Sequence, residues 1–344
     1  MSLTVRAVPG LPELTSGADL IDLLLAADPR LVEGDVVTVS SKAVAKVEGR
    51  VAPGIRDDLV VAETDRVVAS RGRLRIVRTW HGLVLAAAGV DASNTAEQTV
   101  VPLPVDPDAS ARRLRTAITE RAGLNVAVIV TDTAGRAWRI GQTDIAVGCA
   151  GLEPAHDLTG HPDASGRPLE VTAPAVADEL AGAAELVLAK AGGTPVAVVS
   201  GLAGLVLPPG RHGPGAAALI RPEDEDLFGL GATDAVLAAV RRSTGDARGF
   251  AANPADPAAL LAGLAGLAAG EDDAVSVTVT GPALVARPGT GRAPADPDVL
   301  LAAGAVAERL CVLAWAHGLA PVATTVPDGA VSAWTLHQRP YTGR

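Results

Sequence analysis

Five short runs constrain this chain most: residues 35–41, 82–90, 125–132, 143–152 and 195–202, built from Val, Ile, Leu and Ala with little alternation. Strands that are apolar throughout belong in a sheet covered on both faces. Between the runs lie helical patterns at 17–28, 107–123 and 173–192, the first two opening on acidic or Ser residues suited to capping. Helices interleaved with strands give an α/β fold with a mixed or parallel sheet.

At 344 residues, the chain has room for one large domain or two ordinary ones. Apolar residues make up 48%, but only four Trp, two Phe and one Tyr are present, so the core must be aliphatic. The texture changes near residue 230. Beyond it come an Ala/Leu/Gly segment (256–270), a strand (274–281) and a long helix across 296–318. The expected division is a first domain at 1–240 and a smaller α/β extension at 245–344.

A net charge of −10 leaves no general electrostatic footprint for nucleic acid or an anionic membrane. Cys149 and Cys311 match no zinc or redox spacing and read as buried structural thiols. The N-terminal stretch lacks the basic-then-apolar pattern of a secretion signal, and the Ala/Leu-rich stretches carry charges. The expectation is a soluble, cytoplasmic protein.

Of 29 basic residues only three are lysine, and two of these, Lys42 and Lys46, sit four apart just after the 35–41 run. A chain that uses arginine for generic cations keeps lysine where a compact charge can meet a phosphate. There is no phosphate-binding G-x-x-x-x-G-K-[ST] loop, no H-E-x-x-H and no G-x-S-x-G elbow, and the six histidines are scattered. Polar residues instead collect where strands end: Ser41, Lys42 and Lys46; Asp91 and Asn94 in Asp-Ala-Ser-Asn; Asp132 and Thr133 after the 125–132 run. Taken singly, each could be an Asx-turn or a helix cap. Taken together, carboxylates and a hydroxyl at neighbouring strand ends form a hard-oxygen site for Mg²⁺ or Mn²⁺ facing a polyphosphate.

The strings GLPEL, VVTVSSKAVAKVEGR, GLVLAAAGVDASN, VIVTDTAGRAWRIGQTDIAVGCAGL, GRPLEVTAPAVADELA and PVAVVSGL occur in order across residues 5–230. Together they resemble the coenzyme F420-0:L-glutamate ligase family. The resemblance implies a two-lobed α/β γ-glutamyl ligase fold, a homodimer, and GTP-dependent addition of L-glutamate to the deazaflavin precursor F420-0. It implies a nucleotide site at Leu11, Pro12, Glu13, Leu14, Ser41, Lys46 and Asn94. It also implies metal ligands at Asp91, Asp132 and Thr133, with the two aspartates catalytic. GTP is the co-substrate, Mg²⁺ or Mn²⁺ the metal, and K⁺ an optional further cation. Nucleic-acid and membrane partners are not implied.

One segment departs from the family pattern. "LAKAGGTP" carries Lys190 where archaeal members have an acidic residue, so a second metal would need another acid such as Glu48 or Asp144. The C-terminal extension resembles a shortened flavin-binding nitroreductase-like domain expected to lack FMN, with a helical dimerisation module as the alternative. A catalytically reduced deazaflavin- or nucleotide-binding protein of the same fold is the alternative to the ligase.

Overall fold

The computed structural model describes residues 2–28, 30–91, 99–188, 193–223, 225–226, 228–241, 257–269 and 274–338. Its contacts divide the chain into two compact units, Met1–Arg221 and Pro222–Arg344. The first runs β1 (Thr4–Ala7), α1 (Leu20–Ala27), β2 (Val36–Ser40), α2 (Ser41–Val47), β3 (Ala52–Pro53), α3 (Arg56–Ala62), β4 (Thr64–Arg71), β5 (Leu74–Thr79), β6 (Val84–Ala86), β7 (Thr99–Val100), α4 (Pro107–Ala122), β8 (Ala127–Gly135), β9 (Gln142–Ala150), α5 (Val176–Leu188) and β10 (Val196–Ser200). The second contains α6 (Ala232–Arg241), α7 (Pro257–Ala269), β11 (Val275–Thr280), β12 (Ala283–Pro288), α8 (Pro297–Ala316), β13 (Leu319–Ala323) and β14 (Ser332–Gln338).

The main sheet of the first unit has the order β1-β10-β2-β8-β9. Within it β2 and β8 are parallel and every other pair is antiparallel. Both faces are covered. Val37, Val39, Val128, Val130 and Val198 face one aliphatic cluster, and Val36, Ala127, Ile129, Cys149 and Val199 face another. This is why the central strands read as unbroken apolar runs. Helix α4 shows its local causes plainly: Asp106 caps it by accepting from the Ala109 N–H at 2.8 Å, Pro107 opens it, and Gly123 closes it at φ 69°.

Two expected strand boundaries change. The strand carrying Asp132 does not stop there but runs on to Gly135, because β9 folds back antiparallel and pairs with the extra residues. A register shift opposite Val130 and Thr131 leaves Val147 as the extra residue of a β-bulge. The expected strand at 82–90 survives only as Val84–Ala86, after which the chain makes a tight turn through Ala87, Ala88 and Gly89, all at positive φ. The hairpin β4–β5 pairs with β6 in a separate three-stranded sheet.

The second unit is a four-stranded antiparallel sheet in the order β11-β12-β14-β13, with α7 and α8 packed through Leu264, Val299, Val306, Leu310 and Trp334. Helix α8 is long and apolar enough to cross a membrane by length and composition; Val299, Ala302, Ala303, Val306 and Leu310 build this core, while Leu300 and Leu301 are exposed. Cys149 is buried and Cys311 half-buried, neither of them in a disulfide.

Candidate functional site

The parallel pairing of β2 with β8 builds the site. Register places Ser40 beside Thr131, so the next residues, Ser41 and Asp132, become neighbours. Ser40 caps α2 by accepting from the Ala43 N–H, which turns the chain into the helix and leaves Ser41 and Lys42 in its first turn. The Ser41 hydroxyl donates to Asp132 Oδ1 at 2.9 Å. Asp132 also accepts from the Thr133 N–H.

Asp91 arrives from the other direction. It follows the left-handed turn and is held by a two-bond bridge with Val101, Asp91 N–H to Val101 O at 3.0 Å and the reverse at 2.8 Å. For L-alanine the left-handed region costs about 1–2 kcal/mol per residue. Spending that at Ala87 and Ala88, in a nearly buried turn, is the kind of strain that collects at functional sites. The turn brings Gly89 against Asp132: a Cβ there would lie 3.2 Å from Asp132 Oδ2, and Leu103 would crowd it equally. Asp91 itself forms an ion pair with Lys42.

The electrostatics set Asp132 apart. Although the residue keeps some accessible surface, burial dominates its carboxyl and pushes the pKa up to about 7. The charges of Asp144 and Asp91 raise it further, and hydrogen bonds from Ser41 and Thr133 only partly oppose them. A buried carboxylate short of positive charge, among oxygen donors only, fits a hard divalent cation. Among the described residues, no three His, Cys, Asp or Glu side chains stand together as a ready metal cluster. Other donors would therefore have to complete the coordination, including hydroxyls, water and nucleotide oxygens.

Side-chain alternation splits the remaining residues. Thr131 and Thr133 share the face of β8 opposite to Asp132. Both donate to the buried Asp144, which lies directly across from Thr133: Thr131 at 3.2 Å and Thr133 at 2.8 Å. The structure thus brings the Thr133 backbone to Asp132 and its hydroxyl to Asp144. Lys46, one turn along α2 from Lys42, pairs with Glu13, which joins two expected nucleotide-site residues. Leu11 and Leu14 pack on the adjacent core, leaving the intervening Pro12–Glu13 stretch exposed. Asn94 and Lys190 lie outside the described residues. Glu48 is engaged elsewhere, accepting from Ser110 at 2.6 Å and Arg113 at 2.5 Å.

Sequence reasoning missed two things here. The Lys42–Asp91 pairing joins residues 49 apart in sequence, and only their shared position after apolar runs hinted at it. The other is Arg115, buried in α4 with no carboxylate paired to it among the described residues. It donates to the carbonyls of Val126, Leu207 and Arg211 and to Asn125 Oδ1, at 2.5–2.9 Å. It therefore fastens the 207–212 loop to the main sheet. Burial holds its guanidinium below its usual pKa.

Carboxylates, a hydroxyl and two lysines thus gather around a parallel strand pair, at the strand ends where α/β sheets bind their ligands. The family model of F420-0:gamma-glutamyl ligases matches residues 56–201. A coenzyme F420:L-glutamate ligase of Methanothermobacter thermautotrophicus is 34% identical over 253 residues, covering 66% of this chain and 99% of the relative. Enzymes of the same name from Archaeoglobus fulgidus and Haloarcula marismortui are 37% and 38% identical, over 59% and 57% of this chain and 89% and 86% of their own lengths. The chain belongs to the F420-0:gamma-glutamyl ligase family.

Proposed function

We propose that this protein ligates L-glutamate to coenzyme F420-0 through an amide bond, at the expense of GTP, in the biosynthesis of coenzyme F420. The observation that carries the reading is the convergence of Ser41, Lys42, Asp91 and Asp132 at the β2–β8 strand pair, within a chain of this family. A free carboxylate is a poor acyl donor, so the precursor's carboxylate oxygen attacks the γ-phosphorus of GTP and GDP leaves. The amine nitrogen of glutamate then attacks the acyl carbon. A C–N bond forms, the C–O bond to phosphate breaks, and phosphate leaves with loss of one amine proton.

No protein nucleophile enters this sequence; orientation and charge neutralisation supply the catalysis. Asp91 and Asp132 would hold a Mg²⁺ or Mn²⁺ ion, which would neutralise the polyphosphate and polarise its transferring group; Thr133, the third ligand expected from the sequence, has its hydroxyl on Asp144 on the other face of β8. Lys46 places a fixed ammonium on the phosphates, with Glu13 holding it until they arrive. Ser41 keeps the Asp132 carboxylate in one orientation, and Leu11, Pro12, Leu14 and Asn94 complete the nucleotide contacts. The enzyme acts as a cytoplasmic homodimer and needs no FMN.

The test is incubation with F420-0, GTP, Mn²⁺ and L-glutamate, followed by mass spectrometry. A product heavier by one or more glutamyl residues, with matching GDP release, supports the reading. An unchanged precursor under all metal conditions refutes it.

A further inference from the structure

The hairpin β4–β5 concentrates positive charge in an acidic protein. Arg66, Arg71, Arg73, Arg75 and Arg78 occupy residues 64–79, against the single carboxylate of Asp65. Arg66 and Arg78 even stand directly opposite one another across the ladder, a like-charge pairing that costs sheet stability. Asp65 compensates Arg78 at 3.5 Å, and the hairpin as a whole remains strongly cationic.

Between the hairpin and α3 lies a groove of about 400 Å³, walled by Arg56, Arg73, Arg75, Val60 and Ala87. Two contacts tie it to the carboxylate site. Arg56 Nε donates to the Val90 carbonyl at 2.9 Å, one residue before Asp91. Ala87 opens the left-handed turn whose third residue, Gly89, lies against Asp132. The groove also shows how it treats a carboxylate. Asp57 sits in it, paired with Arg73 at 2.7 Å, and is held below the usual carboxylate range by Arg73 first and then by Arg75 and Arg56. That pair is exposed on both sides and therefore exchangeable.

We propose that this groove receives the carboxylates of the amino-acid substrate, with Arg75 and Arg56 as its principal contacts and Arg73 released from Asp57 to join them. The inference rests on the ligase reading and deepens it. When the amine of glutamate attacks the acyl phosphate, its two carboxylates take no part in bond making. They would be repelled by Asp91, Asp132 and Asp144 unless cations held them aside. Planar guanidinium groups pair with carboxylates through two parallel N–H donors, which an amide cannot reproduce. The groove thereby selects a dicarboxylic amino acid over its amide.

The test uses the full-length chain with Arg75→Ala, Arg75→Lys and, as a control on the hairpin outside the groove, Arg71→Ala. Loss of one charge-assisted contact should raise KM for L-glutamate about tenfold or more in Arg75→Ala, with KM for GTP unchanged. Preference for L-glutamate over L-glutamine should fall in parallel, Arg75→Lys should recover part of both, and Arg71→Ala should behave as wild type. Unchanged KM and unchanged preference in Arg75→Ala would overturn the assignment while leaving the ligase reading intact. If the wild-type protein forms no glutamate adduct, the ligase reading falls, and calorimetric titration with L-glutamate decides the groove separately. Binding by wild type and loss in Arg75→Ala would support it; equal behaviour of the two would overturn it.

Discussion

The β8–β9 ladder and the β4–β5 hairpin carry opposite charges in opposite ways. On the ladder, Asp132 and Asp144 are mounted on strands whose Val128, Ile129, Val130 and Thr131 are fully buried, and hydroxyls fix their orientation. On the hairpin, Arg71, Arg73 and Arg75 stand exposed in solvent at the end where the two strands turn. Each kind of charge needs a different mount. A short carboxylate must be placed within a few tenths of an ångström to hold an ion, so it needs a rigid, desolvated mount. A guanidinium on a long stem gathers an anion from solution and needs reach and exposure.

Breaking the anionic half should have the largest effect. Asp91→Asn and Asp132→Asn should each lower ligation by on the order of 10³-fold, as when a main stabiliser of developing charge is lost. The double variant should be little worse than either single, because residues acting as one unit are strongly non-additive. Since the amide removes a charge that burial disfavours, Asp132→Asn should melt at or above the wild-type temperature. Steady-state kinetics and thermal unfolding check both halves. A variant that ligates at wild-type rate removes its residue from the site.

The mount can be attacked instead of the charge. Arg115→Met leaves the carbonyls of Val126, Leu207 and Arg211 buried without their donor and should destabilise the first unit by about 3 kcal/mol or more. Denaturant unfolding reads this directly; a midpoint equal to wild type would show that the loop is held by other contacts.

Lys46→Ala sharpens the comparison from the cationic side. Loss of its phosphate contact should weaken GTP binding by about 1.5–3 kcal/mol, measured calorimetrically, while Lys190→Ala should have a smaller effect. Equal losses would remove the special place given to Lys46. The smallest effect is expected at the rim: Arg73→Ala should leave the melting temperature unchanged, because Arg73 and Asp57 are both solvent-exposed.

Much of the carboxylate site was legible in the sequence because it depends on local chemistry. A strand entering a helix at Ser40–Ser41 and a carboxylate following buried valines are readable without knowing which strands pair. What was not legible depends on distant partners. Continuation of β8 past Asp132 needs β9 opposite it, and the bulge at Val147 leaves no composition signal. The left-handed turn at Ala87–Gly89 was read as strand because alanine favours no such turn; packing around Ala88 and Leu103 imposes it. Arg56, Arg73 and Arg75 line one groove only because α3 folds beside the hairpin, which no local pattern announces.

On the proposed function, Asp132 would hold an ion between the protein and the nucleotide. Titration of Mn²⁺ in the presence of GTP, followed by the electron paramagnetic resonance signal of free Mn²⁺, tests it in wild type and in Asp132→Asn. The expected result is a protein-bound Mn²⁺–GTP complex in the wild type and a loss of Mn²⁺ affinity of more than about a hundredfold in the variant, beyond the roughly 10–100-fold that loss of an outer hydrogen-bonding partner gives. Equal affinity of the two proteins for Mn²⁺ in the presence of GTP would contradict it.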